Sequence, residues 1–284
     1  MTTRAGRVKA ARRLTRRASR MSARLFLAEG PQAVKEALEL ADCVVEVFAT
    51  DEATSRSAEL AAKVQEVGAS WHLVEDTALA SLSDTVTPQG LVAVCRFVDV
   101  AIDQVVDASP RLVAVCVDVR DPGNAGAVIR CADAAGADAV VLAGHSVDPY
   151  NAKVVRASVG SIFHVPLVRE TSVGEAVSGL RAAGCQVLAA DGGGSASLDD
   201  VLDAGRLAEP TTWLFGNEAW GLPAETLALA DQVVAVPIYG RADSLNLATA
   251  SAICLYASAR ASRTNGPESP PSPEGSESDV APAT

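Results

Sequence analysis

RLVAVCVDVRDPGNAGAVIR, residues 111–130, is the stretch from which the architecture can be read. Its first nine residues form an almost unbroken apolar run, as expected of a strand covered on both faces of a sheet. Pro122 and Gly123 break that strand. A helix is then predicted over 124–135, with Asn124 able to cap it and Gly126 leaving room for a backbone or a ligand to approach. Working outward, the apolar signal returns in DAVVLAG (138–144), FHVPLV (163–168), CQVLAA (185–190), TTWLFG (211–216) and QVVAVPI (232–238). Helical patterns over 150–159, 173–183 and 223–230 separate most of these runs, and a helix with a broad apolar face is expected over 244–260. Strands alternating with helices predict an α/β fold with a mostly parallel sheet.

Toward the N-terminus the pattern describes a second, smaller α/β unit. Pro31 is placed to start the helix PQAVKEALELA. CVVEVFA (43–49), WHLV (71–74) and LVAVCRFV (91–98) read as strands, with a helix near 54–67. The boundaries expected from these patterns are an arm at 1–24, a small domain at 25–98, a linker at 99–110, a larger domain at 111–262 and a Pro- and Ser-rich acidic tail at 263–284, expected to be disordered.

Charge is divided unevenly along the chain. The total is −11, which alone speaks against a nucleic-acid partner. Residues 1–24, however, hold nine Arg or Lys and no acid, and the tail carries −3, which leaves −17 on residues 25–262. A basic arm on an acidic body suggests an RNA-binding appendage, and equally fits a frayed, solvated terminus. Aromatic residues are 4% of the chain, so an extended base-stacking platform is not expected. The six cysteines form no CxxC pair, and most sit in apolar runs, as small buried thiols do. His72, His145 and His164 are far apart in sequence, and no metal site is expected. No apolar run approaches the roughly 18 residues of a membrane span. The start of the chain has no apolar core of roughly 7–15 residues behind its charges, so a cytoplasmic location is expected.

Three segments pair a strand end with a helix start, where open α/β sheets build their sites. The first carries Arg120, Asn124 and Arg130, whose guanidinium fork suits a phosphate. It is not GxGxxG, so the dinucleotide fingerprint is absent. An ordinary turn bearing a surface Arg explains it equally well. The second is LFGNEAWGLP (214–223), where Gly216 and Gly221 open space for a flat ligand and Glu218 is a charge that a simple turn does not need. The third is VPIYGRADSLNLA (236–248). There Ser244 is the expected N-cap of the last helix, and Asn246 lies in its first turn with its amide free to meet a ligand.

Together these segments resemble the signature motifs of the SpoU/TrmH family of RNA ribose 2′-O-methyltransferases, within the SPOUT class. The matching residues are NxGxxxR at Asn124–Arg130, LFGNExxGL at Leu214–Leu222 and VPIYGRADSLNLATA at Val236–Ala250. Arg156-Ala-Ser158-Val-Gly160 through Pro166 looks like the family's central stretch. Phe26–Gly30 through Thr87–Gly90 resembles its small RNA-binding domain. The resemblance implies a parallel-sheet catalytic domain with a C-terminal trefoil knot, although chains generally avoid threading. It implies transfer of a methyl group from S-adenosylmethionine to a ribose 2′-hydroxyl of ribosomal RNA, of the large subunit, with transfer RNA or a non-catalytic RNA-binding role in ribosome assembly as alternatives. By resemblance, Leu214, Phe215, Gly216, Asn217, Ile238, Ser244, Leu245 and Asn246 cradle the cofactor. Asn124, Arg130, Glu218, Ser244 and Asn246 form the catalytic set, and Arg120, Arg130, Arg156 and Arg241 meet RNA. Homodimerisation through the knotted region is implied too, with the 244–260 helix and the 150–159 segment as interface.

Overall fold

The computed structural model describes residues 1–264. Beyond Thr264, the tail expected at 263–284 lies outside the described residues. The N-terminal part comprises α1 (Gly6–Arg13), α2 (Arg17–Ala23), β1 (Leu25–Glu29), α3 (Pro31–Leu38), β2 (Val44–Ala49), α4 (Asp51–Arg56), α5 (Ala58–Glu66), β3 (Ser70–Leu73), α6 (Asp76–Ala80) and β4 (Leu91–Arg96). Its sheet runs β1-β4-β2-β3, with β4 antiparallel to both neighbours and β2 parallel to β3.

The arm is not an appendage. Val8, Ala11 and Leu14 are buried on α1 and in the turn after it, against Phe48, Leu79, Val92 and Val94. Helix α1 and the turn after it cover the sheet face opposite α3, and the spacing of three apolar residues among the arginines is what lets them do so. Charge dominates the composition of this stretch and hides its single buried stripe.

The second part comprises β5 (Asp99–Val100), α7 (Ile102–Asp107), β6 (Leu112–Val117), α8 (Pro122–Ala135), β7 (Ala139–Ala143), α9 (Ala152–Ser158), β8 (Leu167–Arg169), α10 (Val173–Ala182), β9 (Gln186–Ala190), β10 (Ala196–Ser197), α11 (Leu198–Asp203), β11 (Thr211–Phe215), α12 (Ala224–Leu227), β12 (Gln232–Ala235) and α13 (Leu247–Thr264). These eight strands form one parallel sheet in the order β10-β12-β9-β11-β6-β7-β8-β5. The stretch 99–110 is therefore no free linker. It supplies the edge strand paired with β8 and a helix whose Val105 is buried.

The apolar run of β6 splits by the two-residue period of a strand. Leu112, Ala114 and Cys116 face one core, and Val113, Val115 and Val117 face the other. The first of these cores continues into the N-terminal domain through Phe26, Ala28, Val34 and Ala93, so the two domains share one interior. The segment proposed as an interface at 150–159 lies inside that joint. Val154 and Val155 are buried, and α9 packs on α8 and β1. By contrast, Ile253 and Tyr256 on α13 remain exposed.

Candidate active site

The order of the sheet fixes where a site can form. From β6 the chain builds outward through β7 and β8. It then crosses to β9, returns with β11 to lie beside β6, and places β12 beyond β9. The direction of winding thus reverses between β6 and β11, and crevices open beyond the carboxyl ends of strands at such a point. A cleft of about 510 Å³ lies there, lined from four strand ends: Asn124 after β6, Ala190–Gly192 after β9, Gly216–Ala219 and Gly221 after β11, and Val236, Ile238 and Asp243–Leu247 after β12.

Each loop is held by a specific contact. The helix α8 is capped by Asp121, whose Oδ1 accepts the Asn124 N–H at 2.8 Å, and not by Asn124 as expected. Proline at the first helical position fixes the preceding residue as the cap. Relieved of that duty, the Asn124 amide donates to Glu218 Oε1 at 3.1 Å, and its own Oδ1 accepts from Asn246 Nδ2 at 2.9 Å. Glu218 also faces the main-chain N–H groups of Arg120 and Asp121, at 3.5 and 3.3 Å. A carboxylate at the positive end of a helix is favoured electrostatically. Three residues from three separated motifs therefore form one hydrogen-bonded chain.

The β11 turn closes on itself through paired main-chain bonds between Asn217 and Gly221, at 3.0 and 2.9 Å. The Asn217 amide donates to the Asp118 carbonyl at 2.6 Å, which ties the ends of β6 and β11 together. Gly216 is required by this turn, since a Cβ there would stand 2.4 Å from the Gly221 carbonyl carbon. The glycine thus serves backbone against backbone. On α8, Gly126 plays a similar part, because a Cβ would meet Ala157 Cβ at 2.5 Å. Helix α13 begins at Leu247, and its N-terminal amides of Ala248 and Thr249 donate to Asn246 Oδ1 at 2.9 and 3.3 Å. Asn246, and not Ser244, is therefore the capping side chain; Ser244 lines the cleft beside it.

Of the residues singled out in the sequence, Asn124, Gly216, Asn217, Glu218, Ile238, Ser244, Leu245 and Asn246 line this cleft. Leu214 and Phe215 are buried in β11, 0% and 1% exposed, and support it from behind. The four arginines stand apart from it. Arg130 follows Asn124 by six residues, about 9 Å along the axis and on another face of the helix. It is exposed and makes no ion pair among the described residues. Arg241 is likewise exposed, and the Arg120 guanidinium lies over the Trp220 ring, 5.4 Å from its centroid. Arg156 is turned toward the N-terminal domain, 3.7 Å from Glu29 and 3.5 Å from Asp84, so it joins domains where an RNA contact was expected.

The structure adds Asp191, Gly192 and Asp243, which the sequence motifs did not single out. The glycine run after β9 (Asp191-Gly-Gly-Gly194) was the available signal: a third glycine-rich strand end in a sheet already carrying two. All charged side chains lining the cleft are acidic: Asp191, Glu218 and Asp243. Among the described residues no group of three or more His, Cys, Asp or Glu is arranged to hold a metal ion, and no helix is long and apolar enough to cross a membrane.

Comparison with known proteins places this geometry. Residues 111–256 match the model of the SpoU rRNA Methylase family, and residues 6–93 match an MRM3-like substrate binding domain, which takes in α1 and α2. The 23S rRNA (guanosine(2553)-2′-O)-methyltransferase RlmP of Bacillus subtilis is 35% identical over 250 residues, covering 88% of this chain and 94% of that protein. The AdoMet-bound rRNA methyltransferase of Sinorhizobium meliloti superposes with a TM-score of 0.76 at 32% identity, over 90% of this chain and 94% of that one. AviRb of Streptomyces viridochromogenes, a SpoU methyltransferase solved with AdoMet, superposes with a TM-score of 0.77 at 29% identity, over 93% of this chain and all of that one. With the motifs gathered at one cleft and the family model spanning more than half of its length, this chain belongs to the SpoU rRNA methylase family.

Proposed function

We propose that this protein transfers a methyl group from S-adenosylmethionine to a ribose 2′-hydroxyl of ribosomal RNA of the large subunit. The observation that carries this reading is the cleft at the β6/β11 reversal, with Asn124, Glu218 and Asn246 hydrogen-bonded across it. The fit to the cofactor rests on its lining. Gly192 and Gly216, which have no side chains, line one part of the cleft, and Ile238, Leu245 and Leu247 provide apolar surface for a flat ring. An acidic lining without Lys, Arg or His suits a ligand that is itself a cation. When bound, S-adenosylmethionine supplies a methyl group on a positively charged sulfur.

The chain's own residues then have distinct tasks. Asn124 and Glu218 hold the mouth of the cleft to the start of α8, and Asn246 fixes the loop that precedes α13. Positioning of this kind can lower a barrier by up to about 7–11 kcal/mol. Arg130 is exposed on this chain, and its planar guanidinium fork suits a phosphate, so its task is to orient the RNA phosphate and the reacting hydroxyl. Since it does not line the cleft of its own chain, we read the active unit as a homodimer in which Arg130 faces the other subunit's cleft. Ile253 and Tyr256 on α13 supply exposed apolar surface for that association. The trefoil knot implied by the motifs, and a cytoplasmic location beside the ribosomes, belong to the same reading.

Two measurements test it. Calorimetry should show S-adenosylmethionine binding to the wild-type chain, and ribose-methylation maps of ribosomal RNA from cells with and without the gene should differ at one large-subunit nucleotide. Absence of binding, or a difference confined to transfer RNA, refutes the reading. For the dimer, mixed subunits carrying Arg130→Ala and Gly216→Ala separately should recover up to about a quarter of the wild-type rate, while each variant alone stays inactive. No recovery from two inactive variants would place Arg130 in its own cleft, and an active Arg130→Ala variant would remove it from the reaction.

A further inference from the structure

Trp220 is a large aromatic side chain that the fold leaves about half exposed. It is 54% exposed, while Trp213 is wholly buried. It lies in the turn that closes the cleft, between Ala219 and Gly221, both of which line it, and beside Glu218. The turn itself needs no indole at this position. Its closure comes from the main-chain pair between Asn217 and Gly221 and from the Asn217 side chain. One face of the ring is taken by Arg120, whose guanidinium sits 5.4 Å from the ring centroid. The Arg120 main-chain N–H points to Glu218, so the same short segment of backbone that anchors the catalytic turn also carries the cation over the indole. Arg120 is exposed, so its charge remains available to a passing phosphate.

With the guanidinium over one face of the indole, the other face is the kind of flat π surface on which an unstacked RNA base rests, and the cation is there for a nearby phosphate. We infer that Trp220, oriented by Arg120, is the stacking wall for a base of the substrate RNA next to the methylated ribose. This rests on the methyltransferase reading and adds the substrate side of the same site. A single indole at the mouth of the cleft can hold one base without the run of aromatics that a platform for several bases needs. The competing occupant of an exposed tryptophan is a second copy of this chain, and the test separates the two.

The probe is an in vitro transcript of bacterial 23S ribosomal RNA, unmethylated as made. Stacking on one base predicts that Trp220→Ala lowers kcat/KM for the transcript by about tenfold to a hundredfold. Trp220→Phe should recover most of the loss, since a smaller π face remains. The dissociation constant for S-adenosylmethionine and the mass in light scattering should match those of wild type in both variants. Indole fluorescence should fall on adding transcript to wild type, and not to Trp220→Phe. An unchanged kcat/KM in Trp220→Ala, an absent fluorescence response, or a change of oligomeric state overturns the inference; the last would assign the ring to a subunit interface. Failure of the wild-type chain to bind S-adenosylmethionine would refute the methyltransferase reading instead, and the fluorescence response to RNA would still decide the role of Trp220.

Discussion

Asn124 and Asp121 are both good helix caps, three positions apart, and only one can serve. Pro122 decides between them, because a proline belongs at the first helical position and makes its predecessor the cap. The consequence is functional, since an Asn124 Oδ1 that is not occupied by the cap is left to accept from Asn246 while its Nδ2 donates to Glu218. At the start of α13, Asn246 performs both duties, capping through Oδ1 and donating to Asn124 through Nδ2, and Ser244 is left to line the cleft. At this scale the sequence shows which residue types gather at the strand ends, but not which polar atom meets which, since that depends on loops distant along the chain. Gly216 offers the sharpest single-residue test. Gly216→Ala should leave the circular-dichroism spectrum close to wild type yet abolish measurable binding of S-adenosylmethionine, because a methyl group 2.4 Å from the Gly221 backbone cannot be accommodated without opening the turn. A variant that binds normally would show that the turn is not part of the cofactor wall.

Among the elements, the central strands were legible because both faces of β6, β7 and β11 are buried, which leaves a continuous apolar run. FHVPLV was less so. Pro166 cannot donate to a ladder, and Ser161–Phe163 forms a 3-10 turn, so only Leu167–Arg169 remains as strand. The expected strand at 232–238 likewise ends at Ala235, before Pro237. That 3-10 turn presents His164 to two partners: Nδ1 lies 2.9 Å from Asp133 on α8 and Nε2 lies 3.0 Å from Glu36 on α3. A neutral imidazole can donate to only one of them. The hydrogen bond to Asp133, with that to Glu36, raises the His164 pKa above its ordinary value against the opposing effect of partial burial. A raised folded-state pKa stabilises the fold fully below the unfolded value, about 6.5, and the gain is lost as pH rises through the folded-state value. Urea midpoints for wild type should therefore fall between about pH 6 and pH 8, by an amount reduced by solvent because the ring is 41% exposed. His164→Gln should flatten that dependence, and an equal slope in the variant would exclude the bridge as its source.

Across the whole molecule, the two domains are joined as one body. Arg20 on α2 is 5% exposed, and its guanidinium contacts Asp148 Oδ2 at 2.5 and 3.1 Å while donating to the carbonyls of Leu14 and Thr15. Around Asp99, Tyr150 donates to the carboxylate at 2.7 Å and receives the main-chain N–H groups of Val98 and Asp99, with Arg24 and Arg169 completing the charge balance. Arg20→Ala should lower stability by about 3–5 kcal/mol in chemical denaturation, since it leaves a buried carboxylate alone. A loss under 1 kcal/mol would mean that water reaches Asp148. Because α1 carries part of the core and α2 the buried Arg20 that pairs with Asp148, deletion of the arm is a poor probe of RNA binding, whereas Arg12, Arg13, Arg16 and Arg17 are exposed and make no ion pair among the described residues. Replacing all four with Gln should leave the fold intact and reduce the slope of log affinity against log salt by up to about 3 units. An unchanged slope would move the RNA path elsewhere. The alternation of strands and helices in both parts of the chain, and the contrast between basic residues 1–24 and the acidic remainder, were readable from pattern alone. The joint was not, since the residues that make it are separated by as many as 128 positions. The two-residue strand β5 carries a last consequence. It pairs along the outer side of β8, so a fragment begun at Arg111 would leave a bare row of amides and carbonyls on that flank. Such an exposed flank is a template for neighbouring chains, and the large domain produced alone should be prone to self-association that the intact polypeptide avoids.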